Sequence, residues 1–398
     1  MKKNKLLLPI LAAVLALVVI AGVILVPRLP KDEVAVFPVS MVGYTDFYSG
    51  SSESYGMVTT DKVQTLYLSG TQTVTEILVY PGQNVKKGDV LFTYDTTLSE
   101  RPQMFDSVAR PYVLAFGDVF STLPSCGVGG PMAQAAEAEK ILACDPDIVI
   151  SEFEDAEKSD ALQEQLGVPV ITLSAGSKAV FDEKFFLSMG LLGTVFDKLE
   201  RADQLIGYIE EQRQAIEEKV AQIPEEEKPS VYICGLGNWG TTDHLMTAEN
   251  YISFEVAGVK NVVSGLGMEG VGPIEEEKFV SLGEQMDMII MDAAAVKNIK
   301  PKYAEDKTMF DTCKAWQEGE VYLEMAYNAY YTNYEIALMN TWFIAKTVYP
   351  ELFADVDMTE KTNEVTKIFL GAELAEEIFA CPGSFGGYGK LDKAAVFG

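Results

Sequence analysis

The chain has 398 residues, 48% of them hydrophobic, with 31 Lys and Arg against 59 Asp and Glu. That length supports two or three domains with their own cores, and a net charge of −28 excludes nucleic acid as a partner by simple repulsion. Five widely spaced cysteines, Cys126, Cys144, Cys234, Cys313 and Cys381, exclude a disulfide framework or a zinc scaffold, and Cys144 and Cys234 read as small core residues.

At the N-terminus, Lys2, Lys3 and Lys5 precede an apolar run of 21 residues from Leu6 to Val26. Such a run spans a bilayer core of roughly 30 Å. Its basic flank predicts a cytoplasmic N-terminus and an extracytoplasmic body. The run ends ILVPRLP, a poor cleavage site, and no Cys follows. Residues 1–31 are therefore expected to form an uncleaved anchor, which places the protein at the cell membrane.

Residues 32–100 are expected to be β-rich. Val63–Leu68, Val74–Tyr80 and Val90–Tyr94 alternate or carry β-branched residues, as strands do. Pro81-Gly82 and Lys87-Gly88-Asp89 mark turns. The spacing of Gly, Val and Gly-Asp in this stretch resembles the biotinyl/lipoyl-like half-motif of membrane-fusion (adaptor) proteins, which also follows a single anchor helix. The second half of that motif and the adaptors' helical hairpin do not follow Asp95. No modifiable lysine motif accompanies Lys86 and Lys87, so no covalently bound cofactor is expected.

From about Arg110 the pattern becomes α/β. Strands are expected at Ile148–Ser151, Val168–Leu173, Val231–Cys234, Met288–Met291 and Val321–Leu323, separated by helical periodicity. One phrase occurs twice. Residues 139–151 read EKILACDPDIVIS and residues 277–291 read EKFVSLGEQMDMIIM, 138 residues apart. A helix-then-strand unit repeated at that distance predicts two similar lobes. Residues 182–224 between them read as a long helix, ending at Pro224. The expected domains are a 101–180 N-terminal lobe, 181–224 connecting helices and a 225–398 C-terminal lobe.

Several phrases in order, EAEKILACDPDIVISEF, LGVPVITL, NYISFEVAGVKNVV, AWQEGEVYL, YNAYYTNYEIALMNTWFIAKTVYPELFADVD and FGGYGKLD, resemble the helical-backbone (class III) substrate-binding proteins of ABC transporters for iron complexes, siderophores, haem and cobalamin. The resemblance runs from about Leu123 to Leu391. It implies two Rossmann-like lobes joined by a long helix, an ABC permease as partner, and a ferric complex, haem or corrinoid as the transported small molecule. Family members open with a further strand-helix-strand stretch ahead of the equivalent of Gly127. Here the adaptor-like segment stands in that place, so the N-terminal lobe is expected to be incomplete.

Glu139 matches the family's permease-docking carboxylate, and Glu277 is its counterpart in the second lobe. The alternative for both is a solvated carboxylate favoured by a helix N-terminus. The glycine-containing loop after Val231–Cys234 carries Trp239 and His244, the only histidine. One His cannot build a three-His metal site, and His244 reads either as a ligand contact or as a satisfied structural residue. Tyr327, Tyr330 and Tyr331 precede a helix expected to start near Glu335, with Thr332 or Asn333 as its cap. Their rings could stack on a tetrapyrrole or catecholate. Tyr334 and Trp342 read as core. The five arginines of the chain put only Arg101 and Arg110 near the first lobe, which disfavours an anionic siderophore. No motif supports catalysis. The competing function is an adaptor-type scaffold of an export or efflux assembly with a degenerate binding domain.

Overall fold

The structure is a computed structural model. It describes residues 34–36, 52–58, 62–68, 73–77 and 92–95, and 110–398 apart from 121, 125, 127–136, 153–154, 238–242, 327 and 329–331. The expected anchor, the turns at Pro81-Gly82 and Lys87-Gly88-Asp89, and Arg101 lie outside the described residues. No helix of the described residues is long and apolar enough to cross a membrane. The chain divides into two units, Met1–Glu100 and Arg101–Gly398.

In the first unit, strands β1 (Val34–Val36), β2 (Ser52–Val58) and β3 (Lys62–Leu68) form an antiparallel sheet in the order β1-β2-β3. Strand β4 (Thr73–Ile77) pairs antiparallel with β5 (Phe92–Asp95), with an irregularity between Val74 and Glu76. Strand β2 is not legible in the sequence. Its sequence SESYGMV contains Ser, Glu and Gly, which fit strands poorly on their own, and it is held by full register with β3 from Ser52↔Leu68 to Val58↔Lys62.

The second unit opens with helix α1 (Pro111–Phe120). The first copy of the repeated phrase then folds as helix α2 (Ala138–Ala143) followed by strand β6 (Val149–Ser151). Helix α3 (Ala156–Leu166) starts on Asp155, whose side chain accepts from the Lys158 amide, and stops at Gly167 with φ 70°. It leads into β7 (Val170–Thr172), which pairs parallel to β6. Ala138, Ile141, Leu162 and Leu166 make a small separate core. Among the described residues this lobe's sheet has those two strands.

The stretch read as one long connecting helix is two helices, α4 (Glu183–Val195) and α5 (Leu199–Val220). Asp197 takes a left-handed backbone (φ 52°), which ends α4 and reverses the chain. Gly193 permits the close return: a Cβ there would lie 2.8 Å from the Ala202 side chain. The 22-residue α5 buries Ala202, Ile209, Gln212, Ile216 and Val220, a stripe at helical spacing.

The C-terminal lobe holds strands β8 (Ser230–Cys234), β9 (Met246–Ala248), β10 (Lys260–Asn261), β11 (Val271–Pro273), β12 (Met288–Asp292), β13 (Val321–Glu324) and β14 (Gly389–Lys390). Its main sheet runs β10-β8-β12-β13-β14, parallel except for β14. The second copy of the repeat folds as helix α7 (Glu276–Leu282) and β12, after the short α6 (Ile252–Val256). Both faces of the sheet are covered, as parallel sheets require. Val231, Ile233 and Ile290 pack to one side, whereas Tyr232, Cys234, Ile289 and Met291 pack to the other. Helix α8 (Val296–Glu305) follows β12. Helix α9 (Tyr334–Val348) buries 12 of its 15 residues, Trp342 among them, and helix α10 (Met358–Leu370) packs beside it. Cys234 is buried as expected, whereas Cys144 is half-buried.

Candidate functional site

In open parallel sheets the strand C-termini form the ligand edge, because the loops leaving them are free to vary. Strand β8 leaves its sheet at Gly235, whose φ of 85° and closeness to Ala295 (a Cβ would lie 2.2 Å away) leave room for glycine alone. The glycine loop that follows is tied to the segment after β13. Asn328 Nδ2 donates to the Gly237 carbonyl at 2.6 Å. Two stretches 91 residues apart therefore meet above the end of β12, the strand between theirs. Trp239 belongs to the first stretch, and Tyr327, Tyr330 and Tyr331 to the second. All four lie outside the described residues.

The segment after β13 is also pinned from below. Asn340 on α9 donates to the Met325 carbonyl at 2.7 Å and accepts from the Tyr388 hydroxyl at 2.8 Å. Asn333 occupies the N-cap position of α9, as expected, but its side chain makes no capping bond. The next residue, Tyr334, stacks on Phe185 of α4, with ring centroids 4.1 Å apart. Burial raises the Tyr334 phenol pKa, and the carboxylates Glu152, Glu335 and Asp182 raise it further. Glu152 follows β6 directly, so this phenol marks where the first lobe's strand end meets the start of α9. Asp182 caps α4 and accepts from the Ser177, Lys178 and Lys184 amides. Partial enclosure raises Glu152. Burial raises Glu335 to about 7, against the opposing bond from the Tyr112 amide.

His244 is corrected by the structure. Its ring is 1% exposed, wedged between Phe279 and Phe310 at 5.1 and 4.9 Å, with Nε2 2.9 Å from Met309 Sδ. Burial drives its pKa down to about 4. The ring fills the core on the side of the sheet away from α9 instead of facing a ligand, because the chain turns inward after Asp243, which is held by Lys302 at 2.6 Å.

Glu139 and Glu277 are exposed, each in the first turn of its helix, α2 and α7. The aspartates that close the two copies behave differently. Asp287 accepts from the Ser230 amide at 2.9 Å and pairs with Lys314 at 2.7 Å, so it staples β8 to β12. Asp147 is exposed.

Three carboxylates at the site went unrecognised in the sequence: Glu152, Asp292 and Glu324. The signal was present, since each ends or directly follows a short apolar strand run, as VIS-Glu152, MIIM-Asp292 and VYL-Glu324. Among the described residues no group of three or more His, Cys, Asp or Glu is arranged to hold a metal ion.

The sequence profile of a family described as "Periplasmic binding protein" matches residues 125–324. Several solved structures are similar to this chain. A periplasmic solute binding protein from Veillonella parvula is 20% identical, with 65% of this chain and 74% of that one covered and a TM-score of 0.50. The molybdate periplasmic binding protein MolA of Haemophilus influenzae is 19% identical over 60% and 76% of the two chains, with a TM-score of 0.49. A periplasmic heme binding protein from Pseudomonas aeruginosa is 19% identical over 61% and 89%, with a TM-score of 0.45. A search of curated proteins finds no match.

Proposed function

The chain belongs to the periplasmic binding protein family, and on that premise we propose that it is the extracytoplasmic solute-binding component of an ABC importer for an iron complex, haem or a corrinoid. The observation that carries this reading is the Asn328–Gly237 bond. It joins the loop of Trp239 to the segment of Tyr327, Tyr330 and Tyr331 at the strand C-termini, so four aromatic side chains belong to neighbouring stretches. Flat rings with polar tips suit a planar or aromatic metal complex. Carboxylates Glu152 and Glu335 near the same edge favour a neutral or cationic complex over an anionic one. The ligand is held without a covalent bond, as a transported solute must be.

Glu139 and Glu277 are the proposed contacts to the permease, one on each lobe. The apolar run Leu6–Val26 is the proposed tether, keeping the binding unit at the cell membrane. The adaptor-type alternative draws on the β-rich first unit and on the two-stranded sheet of the N-terminal lobe. It predicts capture of an export channel and no small ligand.

Tryptophan fluorescence separates the two. Trp316 and Trp342 are 2% and 5% exposed in the core, so a change lost in Trp239→Phe reports the loop. Titration with haemin, cyanocobalamin and a ferric siderophore is expected to quench the parent protein and not the variant. A folded parent that responds to none of the three rules the importer reading out.

A further inference from the structure

At the ends of the two central strands, β12 and β13, lie two acidic residues with no basic partner among the described residues. Asp292 and Glu324 are direct register partners, on parallel strands about 4.8 Å apart. Their side chains leave the same face of the sheet. Ile290 and Tyr322, two residues earlier on each strand, both pack against the core that contains Tyr251, and successive alternate residues share a face. Asp292 is 1% exposed and Glu324 0%. Three of their four oxygens have a described setting. Asp292 Oδ1 accepts from the Ala294 amide at 2.8 Å. Glu324 Oε1 accepts from the Tyr251 hydroxyl at 2.9 Å. Glu324 Oε2 is buried and has no hydrogen-bond partner among the described residues.

Two adjacent carboxylates cannot both ionise in such a place, and the usual resolution is a proton between them. We propose that Asp292 and Glu324 form a proton-sharing carboxyl pair that latches the ends of β12 and β13, so that the loops leaving those strands keep their geometry only while the proton is bound. A proton on Glu324 Oε2, donated to the neighbouring Asp292 carboxylate, gives the orphaned oxygen its bond. The titratable groups on the pair's own face are Tyr251 ahead of α6 and Tyr388 ahead of β14, and Cys234 at the end of β8 feels Asp292 from the other face of the sheet. Among the described residues no Lys, Arg or His acts on either acid. Burial raises both carboxyls, Asp292 to about 8, and Asp292 raises Glu324 further.

The consequence is local. Past Asp292 the chain turns through Ala293–Ala295, where the Ala295 side chain packs against Gly235. Past Glu324 it enters the segment held by Asn340 and bonded to Gly237. Loss of the proton places like charges at neighbouring strand ends and drives both loops apart. The role of those loops in binding rests on the proposed function. The shared proton does not.

The test uses the full chain, as the parent, Glu324→Gln and Asp292→Asn. Glu324→Gln keeps an oxygen for Tyr251 and supplies a permanent N–H toward Asp292, imitating the protonated latch. Infrared spectra of the parent are expected to show a protonated carboxyl at pH 7 that disappears as the pH rises through the pair's raised pKa. Hydrogen exchange, corrected for intrinsic rate, is expected to lose protection around Ala293–Ala295 and at Met325, Ala326, Thr332 and Asn333 over the same range in the parent, and to stay flat in Glu324→Gln. A fully ionised pair at pH 7 overturns the proposal, as does the same exchange profile in parent and variant. Should a variant fail to fold, the infrared titration of the parent decides alone. Absence of haemin or cobalamin binding at every pH counts against the importer reading and leaves the latch standing.

Discussion

His244 shows how one buried ring reports on stability. Its folded pKa of about 4 lies below its ordinary 6.5, so the unfolded chain takes up the proton first as the pH falls. Stability from this residue is complete above about 6.5 and is lost as the pH drops through about 4. The shift corresponds to about 3 kcal/mol at most. Replacing His244 by Gln is therefore expected to flatten the acid limb of the stability curve between those two values, measured by urea unfolding at a series of pH. An unchanged slope would mean that the ring is reached by protons in the folded state. The same burial argument, with opposite sign, applies to Asp292, whose folded pKa of about 8 makes its contribution greatest in acid and lost as the pH rises.

Single elements owe their ends to particular residues. Helix α3 is bounded by Asp155 and Gly167, α4 by Asp182 and the left-handed Asp197, and α10 by Asp357, which accepts from two amides, and Gly371. Each was readable as a helix signal of the usual kind, except Asp197, where the apolar periodicity runs on through Phe196 and Leu199 and conceals the break. Strand β8 depends on Gly235 in the same way. Gly235→Ala combines a positive φ with a clash against Ala295. It is expected to cost about 2–4 kcal/mol, seen as a lower Tm, and to weaken any ligand quenching of Trp239 by displacing the loop. A variant as stable as the parent would show that the loop end relaxes freely.

At the scale of the whole molecule, the described residues distribute exposed apolar surface unevenly between the two lobes. Of thirteen exposed large hydrophobic residues among those described, eleven lie between Phe116 and Leu199 and only Val280 and Phe385 in the C-terminal lobe. Helix α4 shows Leu187, Leu191 and Val195 at four-residue spacing, and α1 shows Phe116, Val119 and Phe120, so each leaves an apolar stripe uncovered. The two strands described in that lobe do not cover these stripes. The proposed docking carboxylates belong to this scale as well, because a two-lobe clamp needs both. Charge reversal at Glu139 or Glu277, both on exposed first turns, is expected to leave Tm within about a degree, as for surface changes generally. Transport by the reconstituted importer is expected to fall at least tenfold, the equivalent of about 1.4 kcal/mol of docking energy. Full transport with both reversed would mean that neither touches the permease.

Periodicity and punctuation were enough to read the α/β class, the strands β6, β7, β8, β12 and β13, and the repeated helix-strand unit, because each depends on a run of a few neighbouring residues. The short β9, β10, β11 and β14 were not readable. They hold two or three residues each, and they exist because a partner strand is there to pair with. His244 and Asp292 make the contrast plainest. A sequence offers a lone imidazole and an aspartate after an apolar run, and both residue types are at home at a ligand edge. Only the tertiary structure decided that the ring turns into the core and that Asp292 meets Glu324, since burial and cross-strand register are set by residues far away in the chain.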